Sequence, residues 1–299
     1  LSVVTIGIPI YNAERTLPDV LRSVFAQSLQ DWELIMVDDG STDGSLLIAQ
    51  SVKDGRVRVV TDGRNLGLEN RLNQITQMAR SPLIARMDAD DLMHPERLAA
   101  QVYLLENHPE LDAVDCGVLI IDGQGRPTGA RPSRQLGTSP YEALQNTLMV
   151  HPSVTARAKW MLENPYDLAY PRAEDYELWV RTVARSQFSR IAVPLYFYRE
   201  VGWEPFPFLR KYLKSAVSVR AAIRKHGPGL VGRRRVAQLL VRSYAKCLVF
   251  RACTVVGKQE LLIRARSGEL TPAERAEAEE IIRRVRATVV PGLESPALL

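Results

Sequence analysis

Five acidic side chains fall in two short clusters, Asp38-Asp39 and Asp88-Ala89-Asp90-Asp91, each directly after an apolar run. Such runs read as strands, and in an open parallel sheet ligands sit at the carboxyl ends of the strands. Carboxylates this close repel one another, and a fold tolerates them most easily when a divalent cation or ligand donors lie among them. Asp88 and Asp90 are two residues apart, so extended backbone would point them the same way. Hard oxygen ligands on one face suit Mg²⁺ or Mn²⁺ held together with phosphate. Each cluster also has a plainer explanation. A lone D-x-D is often only carboxylates in a turn, and Asp38-Asp39 before Gly-Ser-Thr-Asp reads equally as a turn and helix cap. Their occurrence together on successive strands favours the chemical reading.

Glu174-Asp175 opens an amphipathic helical stretch. Acidic residues there meet the helix dipole favourably; a carboxylate near a donor site could instead act as a general base. His151, in Val150-His151-Pro152-Ser153, is either a hydrogen-bonded structural residue or a metal or phosphate ligand.

These groups need a scaffold that brings them together. Residues 2–10 are a nearly continuous apolar run, the pattern of a buried parallel strand. Thr16 reads as an N-cap before Leu17, Val20, Leu21 and Val24 at helical spacing. Further strands are expected at 34–37, 57–60 and 83–87, with helices from about Ser45, over 68–80 and from Pro95 through Leu104. Four alternations of strand and helix signify a parallel sheet covered on both faces. Beyond it, 113–121 reads as a strand, 122–140 as a loop, 141–148 and 174–184 as helices, and 188–193 and 195–198 as strands. After Pro205 the periodicity is helical over 206–226 and 231–256. The capping box Thr271-Pro272-Ala273-Glu274 starts a helix running to about 288.

Composition narrows the class. With 299 residues, 46% hydrophobic and 24% charged, the chain is globular and long enough for one large domain or two modest ones. Three cysteines (Cys116, Cys247, Cys253) with no C-x-x-C pair argue against a disulfide framework or cysteine-bound zinc and point to a reducing, cytoplasmic compartment. The N-terminus reads as a strand rather than a signal peptide, and no run of 18 apolar residues suggests a spanning helix. Residues 1–209 hold 20 basic and 27 acidic side chains, a net of −7; residues 210–299 hold 19 and 7, a net of +12. A basic tail on an acidic body either meets something anionic or is a set of solvated helix faces.

The ordered set Pro9-x-Tyr11-Asn12, Val37-Asp38-Asp39-Gly40-Ser41-x-Asp43, Asn65-x-Gly67, Asp88-x-Asp90-Asp91 and Glu174-Asp175 resembles the family 2 glycosyltransferases over about residues 2–200. The resemblance implies an inverting enzyme with the GT-A fold: a Rossmann-like, mostly parallel central sheet with helices on both faces. Here a helical C-terminal region follows. It implies a GT-A domain over 1–205, with 1–112 the nucleotide-sugar-binding half and 113–205 the acceptor-binding, catalytic half, and a helical basic region over 206–299. Pro9, Tyr11 and Asn12 would line the nucleotide pocket. Asp39 would bind base or ribose, and Asn65, Gly67 and Arg71 would edge that pocket. Asp88 would approach ribose or metal, Asp90 would ligate Mn²⁺ or Mg²⁺ at the diphosphate, and Asp175 would be the catalytic base. The family often places His soon after Tyr-Arg; here Tyr198-Arg199 leads into Glu200-Val201-Gly202-Trp203.

The implied activity is transfer of a sugar from a nucleoside diphosphate sugar to a carbohydrate, lipid-linked or protein acceptor, in polysaccharide, lipopolysaccharide or glycoconjugate assembly. Two other readings compete. A sugar-phosphate nucleotidyltransferase would need a Gly-rich loop after the first strand, where Pro9-Ile10-Tyr11-Asn12-Ala13-Glu14 has no glycine. A non-catalytic, nucleotide-binding relative acting through a partner is opposed by intact Asp39, Asp90 and Asp175. On a helical wheel from Val236, Arg235, Arg242 and Lys246 lie opposite Val236, Leu240, Tyr244 and Cys247. That predicts either packing on the body with solvated arginines or, through 206–258, peripheral contact with an anionic membrane on its cytoplasmic face. The helical tail would also suit a homodimer interface. Nucleic acid is disfavoured by the acidic body and the lack of an aromatic-interleaved basic stripe.

Overall fold

The computed structural model describes residues 2–131, 133, 136–137, 139–200, 205–258 and 267–293. The first half alternates β1 (Val4–Ile10), α1 (Leu17–Phe25), β2 (Trp32–Asp38), α2 (Ser45–Ser51), β3 (Val57–Thr61), α3 (Leu68–Met78) and β4 (Leu83–Arg86). These four strands pair in parallel in the order β3-β2-β1-β4. β1 sits in the middle, and nearly all of its residues are buried, as its unbroken apolar run requires. α3 lies directly on it: a Cβ on Gly7 would come within 2.5 Å of Ile75 Cγ2, so this approach needs glycine.

The second half extends the same sheet with mixed directions. Its strands are β5 (Leu92–Met93), β6 (Ala113–Ile121), β7 (Pro127–Arg131), β8 (Thr155–Arg157) and β9 (Phe188–Arg199). β8 joins β4 to β6 by antiparallel pairing, β9 runs parallel to β6, and β7 and β5 hang antiparallel on β6 and β9. Parallel registers account for most of the paired residues. Helices α4 (Arg97–Asn107), α5 (Pro140–Gln145), α6 (Ala158–Glu163) and α7 (Glu174–Thr182) cover this half.

The C-terminal helices are α8 (Pro205–Val231), α9 (Arg233–Val255) and α10 (Pro272–Arg286). Ala222, Ile223, Val236 and Leu239 of α8 and α9 join one buried cluster with Leu144, Tyr176 and Trp179. α10 returns to the other side, where Ala278, Ile281, Ile282 and Val285 pack on Leu92, Ile121 and Phe197. Its capping box at Thr271 and Glu274 forms as expected.

Several local expectations are corrected. The loop expected over 122–140 contains β7, which makes a hairpin with β6. The two strands expected near 188–193 and 195–198 are one strand, β9, whose register against β6 shifts around Gly117. β5, β8 and α6 carry too few residues to show a period. Thr16 occupies the N-cap position of α1, but its hydroxyl donates to the carbonyls of Ala13 and Ala89 instead of capping the helix. The wheel drawn for α9 is rotated: Val236, Leu239, Phe250 and Thr254 face inward, while Tyr244 is about half exposed. Residues 201–204, in the segment after Arg199, lie outside the described residues.

Candidate active site

The carboxyl ends of β1, β2 and β4 converge as the sheet order demands. A cavity of about 800 Å³ opens there, lined by Pro9, Tyr11 and Asn12 after β1, and by Asp88 and Asp90 after β4. Tyr11 is half exposed and available for stacking. Asn12 is held at φ +49°, its Oδ1 accepting from the backbone N–H of Thr42 at 2.8 Å, so the β1 and β2 loops are stitched together.

The two acidic residues after β2 turn away from the other three. Asp38 is buried and accepts from the backbone N–H groups of Gly40 and Ser41 and from the Thr61 hydroxyl, the turn role that its sequence context allowed. Asp39 accepts from the backbone N–H of Leu66 (2.7 Å) and Gly67 (3.1 Å) and from Arg71 Nε (2.8 Å). It thereby fixes the loop carrying exposed Asn65 and Gly67. Arg71 is fully buried and also donates to Asp62 and Gln74, so it braces this loop from within; none of Asp39, Asn65, Gly67 and Arg71 lines the cavity itself. Gly40, at φ +73°, lets the turn after Asp39 pass against the Arg64 backbone. Arg71→Met would leave Asp39 buried without its cation; we expect a loss of about 3 kcal/mol in urea unfolding. A loss below about 0.5 kcal/mol, the range of ordinary surface substitutions, would remove Arg71 as the brace.

Asp88, Asp90 and Asp91 do come together, with one carboxylate oxygen of each within 4.8 Å of the others. They lie in a turn after β4, so the grouping comes from a reversal of the chain, not from extended backbone. The backbone N–H of Arg199 donates to Asp91 Oδ1 at 2.7 Å, and Arg199 Nε donates to the Asp90 carbonyl at 2.6 Å, which fixes the turn. The Asp90 side chain still reaches solvent. Desolvation by the surrounding wall, and then the Asp88 charge, push its carboxyl up to about 6. Burial and the same neighbours hold Asp91 well above the usual range. A bound cation would reverse both shifts. An all-carboxylate donor set fits Mg²⁺ or Mn²⁺ by hardness.

A second cluster forms where α7 begins. His151, Glu174 and Asp175 each offer a ligand-type atom within 4.8 Å of the others. His151 Nε2 is 2.8 Å from the Tyr166 hydroxyl, and Nδ1 is 3.8 Å from Glu174 Oε1. Burial, and then Arg86, hold His151 well below its ordinary range, so it is neutral at pH 7. The two residues expected at a metal, Asp90 and His151, thus stand in different clusters. Burial raises the Asp175 carboxyl, while the Tyr176 N–H (2.7 Å) and Arg86 favour its ionised form. Glu174 is pushed up to about 7 by burial and then by Asp175.

Glu174 gives a pH signature. Its proton is retained in the folded chain up to about 7 but lost from an ordinary glutamate near 4.5. The folded state therefore holds more protons between those values, and this group lowers stability as pH rises through that window. Glu174→Gln is expected to flatten the fall in unfolding free energy between pH 5 and pH 7. An unchanged slope would mean that Glu174 is not the buried acid.

Arg86 joins the two clusters. It is buried at the end of β4 and makes a forked pair with Asp88, Nη2 to Oδ1 at 2.6 Å. It also acts electrostatically on Glu174, Asp175 and His151. Sequence reasoning missed Arg86, although an arginine ending an apolar run before D-x-D was a visible signal. It also missed Arg199 and Arg286, which line the cavity beside Asp90. Arg286 arrives from α10, donating to Asp19 Oδ2 at 2.8 Å and to the Gln124 carbonyl. No local pattern announces that reach.

Known proteins share this fold. EpsE of Bacillus subtilis (strain 168) is 35% identical over 186 residues, covering 60% of this chain and 66% of its own, so the chain spans just under two thirds of that relative. The structure of Staphylococcus aureus TarS 1-349 in complex with UDP-GlcNAc superposes with a TM-score of 0.58 at 16% identity, covering 97% of this chain and 84% of that 1-349 chain. The mannosyltransferase PcManGT from Pyrobaculum calidifontis, in complex with GDP-Man and Mn²⁺, gives 0.51 at 19% identity, covering 87% and 85%. These likenesses carry the fold, which is GT-A with a helical C-terminal region. The description "Glycosyl transferase family 2" matches residues 5–173, ending one residue before Glu174. With more than half of its length so matched, the chain belongs to glycosyltransferase family 2.

Proposed function

We propose that this glycosyltransferase is an inverting, metal-dependent enzyme that moves a sugar from a nucleoside diphosphate donor to an acceptor hydroxyl. The observation that carries the reading is the junction of two carboxylate clusters through Arg86, one on the cavity floor and one at the start of α7. Tyr11, Pro9 and Asn12 face the nucleotide, with Asp39, Asn65, Gly67 and Arg71 forming and bracing the loop beside it. Asp90 and the neighbouring Asp88 and Asp91 would hold Mn²⁺ or Mg²⁺. When bound, such a cation neutralises charge on a diphosphate leaving group. Arg199 and Arg286 add fixed positive charge on the same wall. Asp175 takes the proton of the acceptor hydroxyl as its oxygen bonds to the anomeric carbon and the bond to the diphosphate oxygen breaks. Attack opposite the leaving group inverts the configuration through an oxocarbenium-like state.

Support for a nucleoside diphosphate sugar comes from UDP-GlcNAc on TarS and GDP-Man on PcManGT. The acceptor belongs to polysaccharide, lipopolysaccharide or glycoconjugate assembly, with the protein cytoplasmic and peripheral on a membrane through residues 206–258. Among the described residues no helix is long and apolar enough to cross a membrane. The test is incubation with UDP-, GDP- and dTDP-sugars, Mn²⁺ and candidate acceptors, reading the product by NMR. An anomeric configuration opposite to the donor's is expected; retention would overturn the mechanism.

A further inference from the structure

Two features of the C-terminal helices are not used by this chemistry. The first is a groove of about 700 Å³ between α5, α8 and α9. Its wall is apolar along Ala216, Val219, Ile223, Leu239 and Phe250, and among the described residues no carboxylate lines it. The charges among its lining residues are Arg242 and Lys246. Arg242 reaches across the opening, donating to Gln145 Oε1 at 3.4 Å. The donor cavity differs in carrying charges of both signs, with Glu14, Asp19, Asp43, Asp88 and Asp90 beside Arg15, Arg199 and Arg286.

The second feature is the outer arc of α9. At helical spacing Val241, Tyr244, Leu248 and Val255 fall within an arc of about 60°. They are 69%, 48%, 69% and 71% exposed. Exposed Ala245 and Ala252 widen the arc, Arg251 and Arg242 flank its two edges, and exposed Arg234 closes it at the first turn of the helix. A solvated helix presents the reverse pattern; an apolar arc bordered by cations suits a helix lying in the interface of an anionic membrane.

We infer that the groove binds the phosphate and first carbons of an anionic membrane amphiphile, with α9 lying along the lipid surface. Arg242 and Lys246 meet the phosphate, and the apolar wall takes the chain. The outer arc fixes the source as a membrane, since a soluble phosphate ester would not require it. Tyr176 lines the groove and directly follows Asp175, so the groove backs the first turn of α7. That the amphiphile is the sugar acceptor rests on the glycosyl-transfer reading; its binding does not.

The experiment titrates the full chain with decyl phosphate, decanol and inorganic phosphate by calorimetry. It also sediments the chain with vesicles of phosphatidylcholine alone or mixed with phosphatidic acid. Decyl phosphate is expected to bind at least about tenfold more tightly than either fragment. The double variant Arg242→Glu with Lys246→Glu is expected to lose about tenfold or more. Val249→Trp, which fills the groove from a half-exposed position, loses comparably. Leu248→Glu keeps decyl phosphate binding but loses sedimentation with the anionic vesicles. Inorganic phosphate binding as tightly as decyl phosphate would overturn the inference. So would decyl phosphate binding that survives both groove variants, or sedimentation indifferent to Leu248→Glu. Nucleotide-induced thermal shifts run on every variant separate failure of this groove from failure of the donor site.

Discussion

Replacing Asp175 by Asn is expected to leave nucleotide binding intact and to lower sugar transfer about 10²- to 10⁴-fold, the usual contribution of a positioned general base. The substitution is nearly isosteric, and its amide oxygen can still accept the Tyr176 N–H that Asp175 uses. What it loses is proton affinity. That affinity is raised by burial, which brings the carboxylate closer to the basicity that an acceptor hydroxyl demands. Glu174→Gln is the internal comparison. Glu174 is the less solvent-exposed neighbour; pushed up to about 7, it is already protonated in much of the population at neutral pH. Its amide variant should therefore cost transfer much less than Asp175→Asn. Steady-state rates with a saturating acceptor, alongside donor affinity from thermal shift, decide the matter. Near-normal transfer by Asp175→Asn would remove it as the base. A loss of donor binding would make it a ligand to the donor instead.

The sequence made the first half of the sheet legible because its signals are local. β1 is an unbroken apolar run, and its burial on both faces follows from that run alone. Asp88 and Asp90 were legible because a strand end is a defined place, although the turn that gathers them with Asp91 was not foreseen. The second half was less legible. β8 has three residues and α6 six, below the length at which a period shows. The orientation of α9 failed for a different reason. That helix carries apolar residues on two arcs, one at Val236, Leu239 and Phe250 and one at Val241, Leu248 and Val255. Periodicity identifies both but cannot say which one α8 covers. Arg71, Arg199 and Arg286 are long side chains whose partners lie far along the chain or in loops, and tertiary packing alone assigns them.

Asp90→Ala should separate stability from binding with opposite signs. Without ligand, Asp90 sits at the cavity surface against a desolvating wall and the Asp88 charge, and resists ionisation up to about 6, where an ordinary aspartate ionises near 3.8. The folded chain thus holds an extra proton between those values, and stability falls as pH rises through them. At pH 7.5 the carboxylate is charged and that penalty is fully present. Removing the group should leave the ligand-free Tm unchanged or higher. With nucleoside diphosphate and Mn²⁺ the wild type should gain stability by mass action, about 2.7 kcal/mol when the free ligand is at a hundred times its Kd. EDTA should remove the metal-dependent part of that gain, and Asp90→Ala should lack it from the start. A variant that melts lower without ligand yet keeps the full metal-dependent shift would make Asp90 a structural turn residue and move the cation elsewhere. A variant that keeps its ligand-free Tm and loses the shift would place the metal between Asp90 and the diphosphate, where its charge offsets the mutual repulsion of the neighbouring carboxylates.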